Sequence, residues 1–264
     1  MTLKKYLSIL KIIISNLFTY RLDFAMRILL TPLKLVIYYF LWKSVFLFSG
    51  SNTIGDYTFN EMITYYVITR IMSGLVSSSI DEAISKEIVE GNIVDRFLRP
   101  LSVGRYFFLE HLGIKIINFT IQTIPLTMIG IIFFNMKIPD ILTLVLFSIS
   151  VILAMLMHFL IVCSTGVIAF WTKEIYGISK IRRNLVDLLS GRTIPLSLFP
   201  EFFIKIFNFM PFQYIFFIPA QIFLGKQINA IRTIFIQIVW IVFLYGIYKF
   251  SWKKAESKVQ GVGI

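Results

Sequence analysis

The chain has 264 residues, 57% of them hydrophobic and 16% aromatic, with a mean hydropathy of +0.81, values that lie outside the soluble globular range. A formal charge of +12, from 26 Lys and Arg against 14 Asp and Glu, would suggest nucleic acid in a soluble protein, but here the bases flank apolar segments instead of forming one solvated face, so they are read as setting orientation in a bilayer. The single cysteine, Cys163, lies in an apolar run and excludes an intrachain disulfide and a metal-thiolate cluster.

Residues 1–20 open the chain with Leu3, Tyr6, Leu7, Leu10, Ile14 and Leu17 on one helical stripe and Lys4, Lys5, Ser8, Lys11 and Ser15 opposite. That pattern fits a helix lying in the membrane interface with its lysines toward anionic headgroups, or an extension of the first span. No small-residue cleavage site follows the basic start, so the first spanning helix is expected to serve as the targeting signal.

A spanning helix needs roughly 20 mostly apolar residues. Six stretches are expected to cross: Ile28–Phe48, Phe59–Ser79, Tyr106–Phe134, Ile141–Trp171, Ile181–Leu198 and Ile231–Phe250. The third and fourth exceed what a bilayer requires and are expected to tilt or project. The fifth is the weakest, because Arg182, Arg183, Asp187 and Arg192 interrupt it, and it is expected to be buried among other helices. With both termini inside, seventeen Lys and Arg fall on the inner loops and four, Lys137, Lys205, Lys226 and Arg232, on the outer ones; the positive-inside rule then favours N-in, C-in.

Between the second and third spans, 80–105 forms the one long polar interruption. Ile80, Ile84 and Ile88 share a helical face, while Ser85, Lys86, Glu87 and Glu90 point to water. Gly91 can end that turn and Pro100 the next. The stretch is either a short amphipathic helix pair across the inner membrane face or a solvated connector.

The segment 191–229 is dense in Phe and Ile yet broken by Pro195, Pro200, Pro211 and Pro219, with Gly191 at its start. Short helices dipping partway into the outer leaflet fit better than a seventh crossing, since irregular backbone at membrane depth needs protein or a water-lined cavity against it.

Ionisable residues within spans cost roughly 2.5 to 3.5 kcal/mol at a helix centre and usually pair, snorkel or face the bundle interior. Arg70, near the middle of the second span, and Arg192, before the break, are candidates for lining a pathway or for structural roles. Lys34, Lys43 and Lys115, the last beside Glu110, read as anchors near span ends. No catalytic constellation or metal site is expected: His111 and His158 lie on different spans without carboxylate or Cys at ligand spacing, and neither HExxH nor GxSxG occurs.

In this polar stretch Glu90, Gly91, Ile93, Leu98, Pro100, Leu101 and Ser102 resemble the signature between the second and third spans of ABC-2 type ABC-transporter permeases. The later runs SGRTIPLSLFPEFF and PFQYIFFIPAQIFLG resemble the end of a branch of small stand-alone permease subunits. The resemblance implies an all-α membrane protein with a single transmembrane domain over 1–264, an interfacial first helix, a coupling helix and short re-entrant helices between spans five and six. It also implies that Glu87, Glu90, Gly91, Ile93, Val94, Asp95, Phe97 and Leu98 form or support a surface that docks on a separate nucleotide-binding ATPase subunit, and that a second permease subunit, identical or related, completes the transporter. Either Ile93 and Phe97 or Glu90 and Asp95 would face that partner.

The ATP and Mg would sit on that other polypeptide. The string nearest a P-loop, AQIFLGKQ at Ala220 to Gln227, lacks the first Gly and the hydroxyl residue that phosphate and metal binding need. The expected function is therefore the permease subunit of an ATP-driven exporter of a hydrophobic or amphipathic substrate, multi-pass in a bacterial plasma membrane. A secondary transporter or channel is the alternative, and a membrane-embedded enzyme a third. Pro and Gly breaks gathered in one half of the chain, without internal repeats, weigh against the second reading.

Overall fold

A computed structural model describes residues 21–97, 103–172, 174–227 and 229–260. The expected interfacial helix over 1–20 and Leu98 of the expected coupling surface lie outside them. The chain folds as helices α1 (Arg21–Ser49), α2 (Phe59–Val76), α3 (Ile80–Val89), α4 (Ile93–Phe97), α5 (Val103–Asn118), α6 (Ile124–Phe134), α7 (Ile141–Gly166), α8 (Ala169–Thr172), α9 (Tyr176–Leu189), α10 (Glu201–Asn208), α11 (Phe217–Phe223) and α12 (Ala230–Gln260). Strands β1 (Thr53–Ile54) and β2 (Tyr57–Thr58) pair antiparallel between α1 and α2. Their two-residue turn starts with Gly55 at a φ of +56°, the position that tight hairpins reserve for glycine. This end of the bundle is called the hairpin end, and the other the α3 end.

Among the described residues, three helices can cross a membrane by length and composition: Pro32–Ser49 within α1, Ile141–Thr172, where α8 continues α7, and Ala230–Ser257 within α12. A fourth crossing results if Glu201–Asn208 and Pro211–Phe223, bent by 78° at their junction, count as one. α1 and α12 expose many of their apolar side chains, as at Phe48 and Ile231, and α7 those of its first turns, as at Ile141, which a lipid environment explains.

The remaining expected spans have other forms. α2 is 18 residues long, and Glu61, Arg70 and its tyrosines and threonines dilute its apolar content. Met62 through Thr69 are all buried, so protein rather than lipid surrounds it and the mixed composition is satisfied by neighbours. The expected third span is the run α5–α6, joined by a π turn over Phe119–Thr123. Pro125 lies in the first turn of α6, and the π turn absorbs the hydrogen bond that its missing N–H cannot make. The expected fifth span, Ile181–Leu198, is corrected: α9 begins at Tyr176 and stops at Leu189 after 14 residues, about 21 Å at 1.5 Å per residue against a hydrocarbon core of about 30 Å. Gly191, at φ +73°, turns the chain out of the helix there.

Two apolar cores stack along α7. One, toward the hairpin end, joins Tyr38, Trp42, Tyr57, Tyr65, Met72 and Phe216. The other, at the α3 end, joins Ile84, Ile93, Phe107, Met157, Cys163 and Trp252. Between them the Ser150 hydroxyl donates to the Gln237 side-chain oxygen at 3.0 Å, and the Gln237 amide donates to the carbonyls of Ser150 and Tyr214 at 3.2 and 2.9 Å. This saturated polar knot fixes α12 against α7.

Candidate functional site

The α3 end carries the densest arrangement of buried charge among the described residues. α3 is amphipathic, with Ile80 and Ile84 buried and Ile88 packed against the same core, as the spacing of the three isoleucines dictates. It crosses α7 at Gly166, where a Cβ would stand 3.0 Å from Ile84 Cβ and 3.1 Å from Asp81 Cα. Only a residue without a side chain allows that approach. α3 also packs against α5, α8 and α9, so more than one face is covered. Ser85 is consequently buried, contrary to the expectation that it faces water, while Lys86 and Glu90 are exposed.

The first turn of α3 holds two adjacent acids, and the middle of α9 two adjacent bases. Asp81 is fully buried and Arg182 is 8% exposed; Nε and Nη2 of Arg182 donate to one oxygen, Oδ2, at 3.2 and 2.9 Å. The other oxygen, Oδ1, and Nη1 of Arg182 are buried without a hydrogen-bond partner among the described residues. One residue on, Arg183 pairs with Glu82 at 2.9 Å, both half-exposed. An unpaired charge at the first position would be costly, so this contact sets the placement of α3 on α9. The sequence shows both doublets, but 101 residues separate Asp81 from Arg182 and no local periodicity links them; the signal available was two opposite-sign doublets in otherwise apolar surroundings.

Lys115 is also not the interfacial anchor expected of it. It is buried, and its ammonium donates to the carbonyls of Gly74, at 3.4 Å, and Ser77, while the Asn118 amide donates to Gly74 O at 3.2 Å. Both cap the last carbonyls of α2, where a cation is favoured by the helix dipole. Lys34 and Lys43 are exposed. His111 Nδ1 lies 3.1 Å from Ser78 Oγ, and His158 is buried on α7.

Beyond α3 the chain turns at Gly91, at φ +78°, as its position predicted. The residues expected to form one surface are divided. Ile93 is buried in the α3-end core and Val94 packs against it, whereas Glu90, Gly91 and Asp95 are exposed and Glu87 half-buried. Lys86 lies 3.8 Å from Glu90 and the Asn92 amide donates to it at 3.0 Å. Of the two faces left open by the sequence, the one with Ile93 is turned inward, and an acidic tip with exposed Val89 is turned outward. Phe97 ends α4.

The far end of α9 is held by hydroxyls. Tyr65 of α2 donates to the Gly191 carbonyl, Tyr38 of α1 to the Thr193 carbonyl at 2.8 Å, and the Phe217 amide to the Ser190 carbonyl at 2.9 Å. These bonds satisfy the backbone where the helix breaks. Arg192 pairs with Asp187 at 2.7 Å and its guanidinium lies 5.8 Å from the centre of the Phe216 ring. Arg70 sits over the Tyr66 ring at 4.7 Å, beside the stacked Tyr38–Tyr66 pair, and its Nε is buried without a hydrogen-bond partner. Cation–π contact explains how a charge is tolerated midway along α2.

After α9 the chain runs through a 3₁₀ turn at Leu196–Leu198, α10, a second turn at Pro211–Tyr214 and α11, the broken pattern expected from its prolines. α10 exposes Phe202, Phe203 and Ile206, and Phe209 just past its end is exposed as well. At the hairpin end Lys226 reaches Glu61 at 3.0 Å and the Asp56 carbonyl, and Gln221 donates to the Tyr57 hydroxyl.

No curated protein and no solved structure matches the chain. The family described as ABC-2 family transporter protein matches residues 32–263, which takes in every helix of the bundle, including most of α1. With its long apolar helices and the amphipathic helix at one end, the chain belongs to the ABC-2 transporter family and is a multi-pass membrane component of transport.

Proposed function

We propose that the chain is the permease subunit of an ATP-driven ABC-2 exporter, with six membrane passages, both termini and the α3 end in the cytoplasm, and hydrolysis carried out on a separate ATPase subunit that holds ATP and Mg. In this reading the passages are α1, α2, α5–α6, α7, α9 with its broken continuation, and α12; residues 1–20 lie in the inner interface, 80–105 form the coupling region and 191–229 the outer re-entrant region. The observation that carries it is the two-sided construction of α3 and α4: an apolar face locked into the bundle and an acidic tip, Glu90, Gly91 and Asp95, turned outward. A loop that only connected two spans would not need a buried ion pair and a glycine crossing to hold it.

Glu87, Glu90, Gly91 and Asp95 are then the groups that meet the ATPase, Ile93 and Val94 the groups that keep them rigid, and Phe97, with Leu98 by the resemblance alone, supports the same surface. Arg70 and Arg192, each held over an aromatic ring, flank the pathway. A second permease subunit, a further copy or a related chain, completes the transporter in the plasma membrane of a bacterium. An apolar groove of about 450 Å³ between α1 and α6, lined by Leu35, Val36, Tyr39, Ile129 and Phe133, suits a hydrophobic or amphipathic substrate.

Reconstitution with the partner ATPase tests this. ATP hydrolysis by the complex is expected to respond to the permease, and replacement of Asp95 and Phe97 to uncouple it. Transport driven by an ion gradient with no ATPase present would overturn the reading.

A further inference from the structure

α9 is attached at its middle and at its C-terminal end, and by different chemistry at each. At its middle, side chains grip α3: Arg182 through the buried pair with Asp81, and Arg183 through the half-exposed pair with Glu82. At its C-terminal end the backbone that leaves it is gripped by Tyr65, Tyr38 and the first residue of α11, at Gly191, Thr193 and Ser190. Between the two, Arg183 to Leu189 form an uninterrupted half of the helix, about 10 Å of rigid rod. Its inward face, Ser179, Arg182 and Val186, is buried throughout, as is Ser190 just past its end.

We propose, building on the permease reading, that α3 and α9 move as one lever: Asp81, Glu82, Arg182 and Arg183 are positioning residues that pass displacement of the acidic tip to the broken segment beginning at Gly191. Three features support this. The buried pair cannot open without leaving an uncompensated charge on each side, which makes sliding of α3 along α9 unfavourable. A second pair, one residue along on both helices, removes the rotational freedom that a single contact would leave. Close packing at Gly166 holds the α3 backbone against α7, so α3 is seated on more than its charges, and tilting about that crossing is the movement left to it. Hinge and shear transitions use such packed pairs as units.

The test uses the complex with its ATPase in proteoliposomes, in a Cys163→Ala background so that the only thiols of this chain are those introduced. Glu82→Cys and Arg183→Cys are combined and joined by a short bis-methanethiosulfonate reagent, while Glu82→Arg, Arg183→Glu and their double exchange are assayed in parallel. Complex assembly and stimulated ATP hydrolysis are both read. If α3 and α9 travel together, the bridged protein retains stimulation; each single reversal loses it while the complex still assembles; and the double exchange recovers it.

Loss of stimulation on bridging, restored by reductant, means that the helices must separate and overturns the lever. Single reversals that behave like the unaltered protein overturn it as well. The unaltered complex is measured first: if it neither assembles nor responds to ATP, the permease reading itself fails, and the lever falls with it for want of a drive.

Discussion

Arg182 and Asp81, 101 residues apart in sequence, meet in the interior of the α3 end with Nη2 2.9 Å from Oδ2. A buried pair of this kind is weak evidence for net stability, because desolvation offsets much of the attraction, but removing one partner strands the other. Arg182→Gln or Asp81→Asn alone is therefore expected to destabilise the fold by about 3 to 5 kcal/mol. The double replacement Asp81→Leu with Arg182→Met is expected to recover most of that loss. Thermal unfolding in detergent checks it; additive losses in the double variant would show that the two side chains do not act as a pair.

Gly166 makes a second expectation specific. Its Cβ would press on Ile84 and on the Asp81 backbone at 3.0 and 3.1 Å, and backbone cannot swing aside as a flexible side chain can. Gly166→Ala is expected to lower the melting temperature, and Gly166→Val to lower it further. Gly246 is the control: it is helical and exposed and a Cβ there meets nothing within 4 Å, so Gly246→Ala is expected to be neutral or to stabilise by up to about 1 kcal/mol.

At the break after α9, Gly191 combines a φ of +73° with contacts of 3.0 Å to Leu196, Phe217 and the Tyr65 hydroxyl. Gly191→Ala is expected to be strained and crowded at once. Tyr65→Phe removes only the hydroxyl that donates to the Gly191 carbonyl, an expected loss of about 0.5 to 1.5 kcal/mol. Circular dichroism melts of the two variants should rank the glycine change as the more damaging.

Asp140 caps α7 outside the membrane passages. Hydrogen bonds from the Thr143 hydroxyl, at 2.7 Å, and then from its amide, at 3.2 Å, hold the carboxyl below its ordinary value of 3.8. A depressed folded value means that the stabilisation is complete above 3.8 and is lost as pH falls through the lower value. The difference in melting temperature between the unaltered protein and Asp140→Ala should accordingly be largest near neutrality and shrink in acid. A difference that stays constant across that range would remove the carboxylate from the explanation.

How far the sequence reached can be judged residue by residue. The polar interruption at 80–105 stood out because charge is conspicuous in an apolar chain, and the isoleucine spacing placed the buried face of α3. Gly91 and the prolines of 191–229 marked their breaks because backbone geometry is written locally. What was not legible depends on partners far along the chain. The pairing of Asp81 with Arg182, the use of Lys115 to cap α2 and the covering of Ser85 follow from tertiary placement that no periodicity encodes. The fifth span falls short of its expected extent for a related reason: apolar residues run on as far as Leu198, but the helix stops at Leu189 and Gly191 turns the chain away.

The choice between the two faces of the α3–α4 region yields a separable pair of expectations. Ile93 is buried, so Ile93→Asp is expected to unfold the α3 end and to reduce the amount of folded protein recovered. Glu90→Lys and Asp95→Lys lie on exposed positions and are expected to leave folding within about 0.5 kcal/mol of the starting protein while removing the response to ATP. Size-exclusion profiles and ATPase assays on the same preparations distinguish the two effects.

The most direct measurement is the position at which the ATPase touches this chain. A photo-crosslinking residue placed at Glu90 or Asp95 is expected to capture the ATPase subunit in native membranes, and the same residue at Lys137, toward the opposite end, to capture none. Capture at Lys137, or no capture at Glu90 and Asp95 in a complex that still hydrolyses ATP on demand, would contradict docking at the acidic tip.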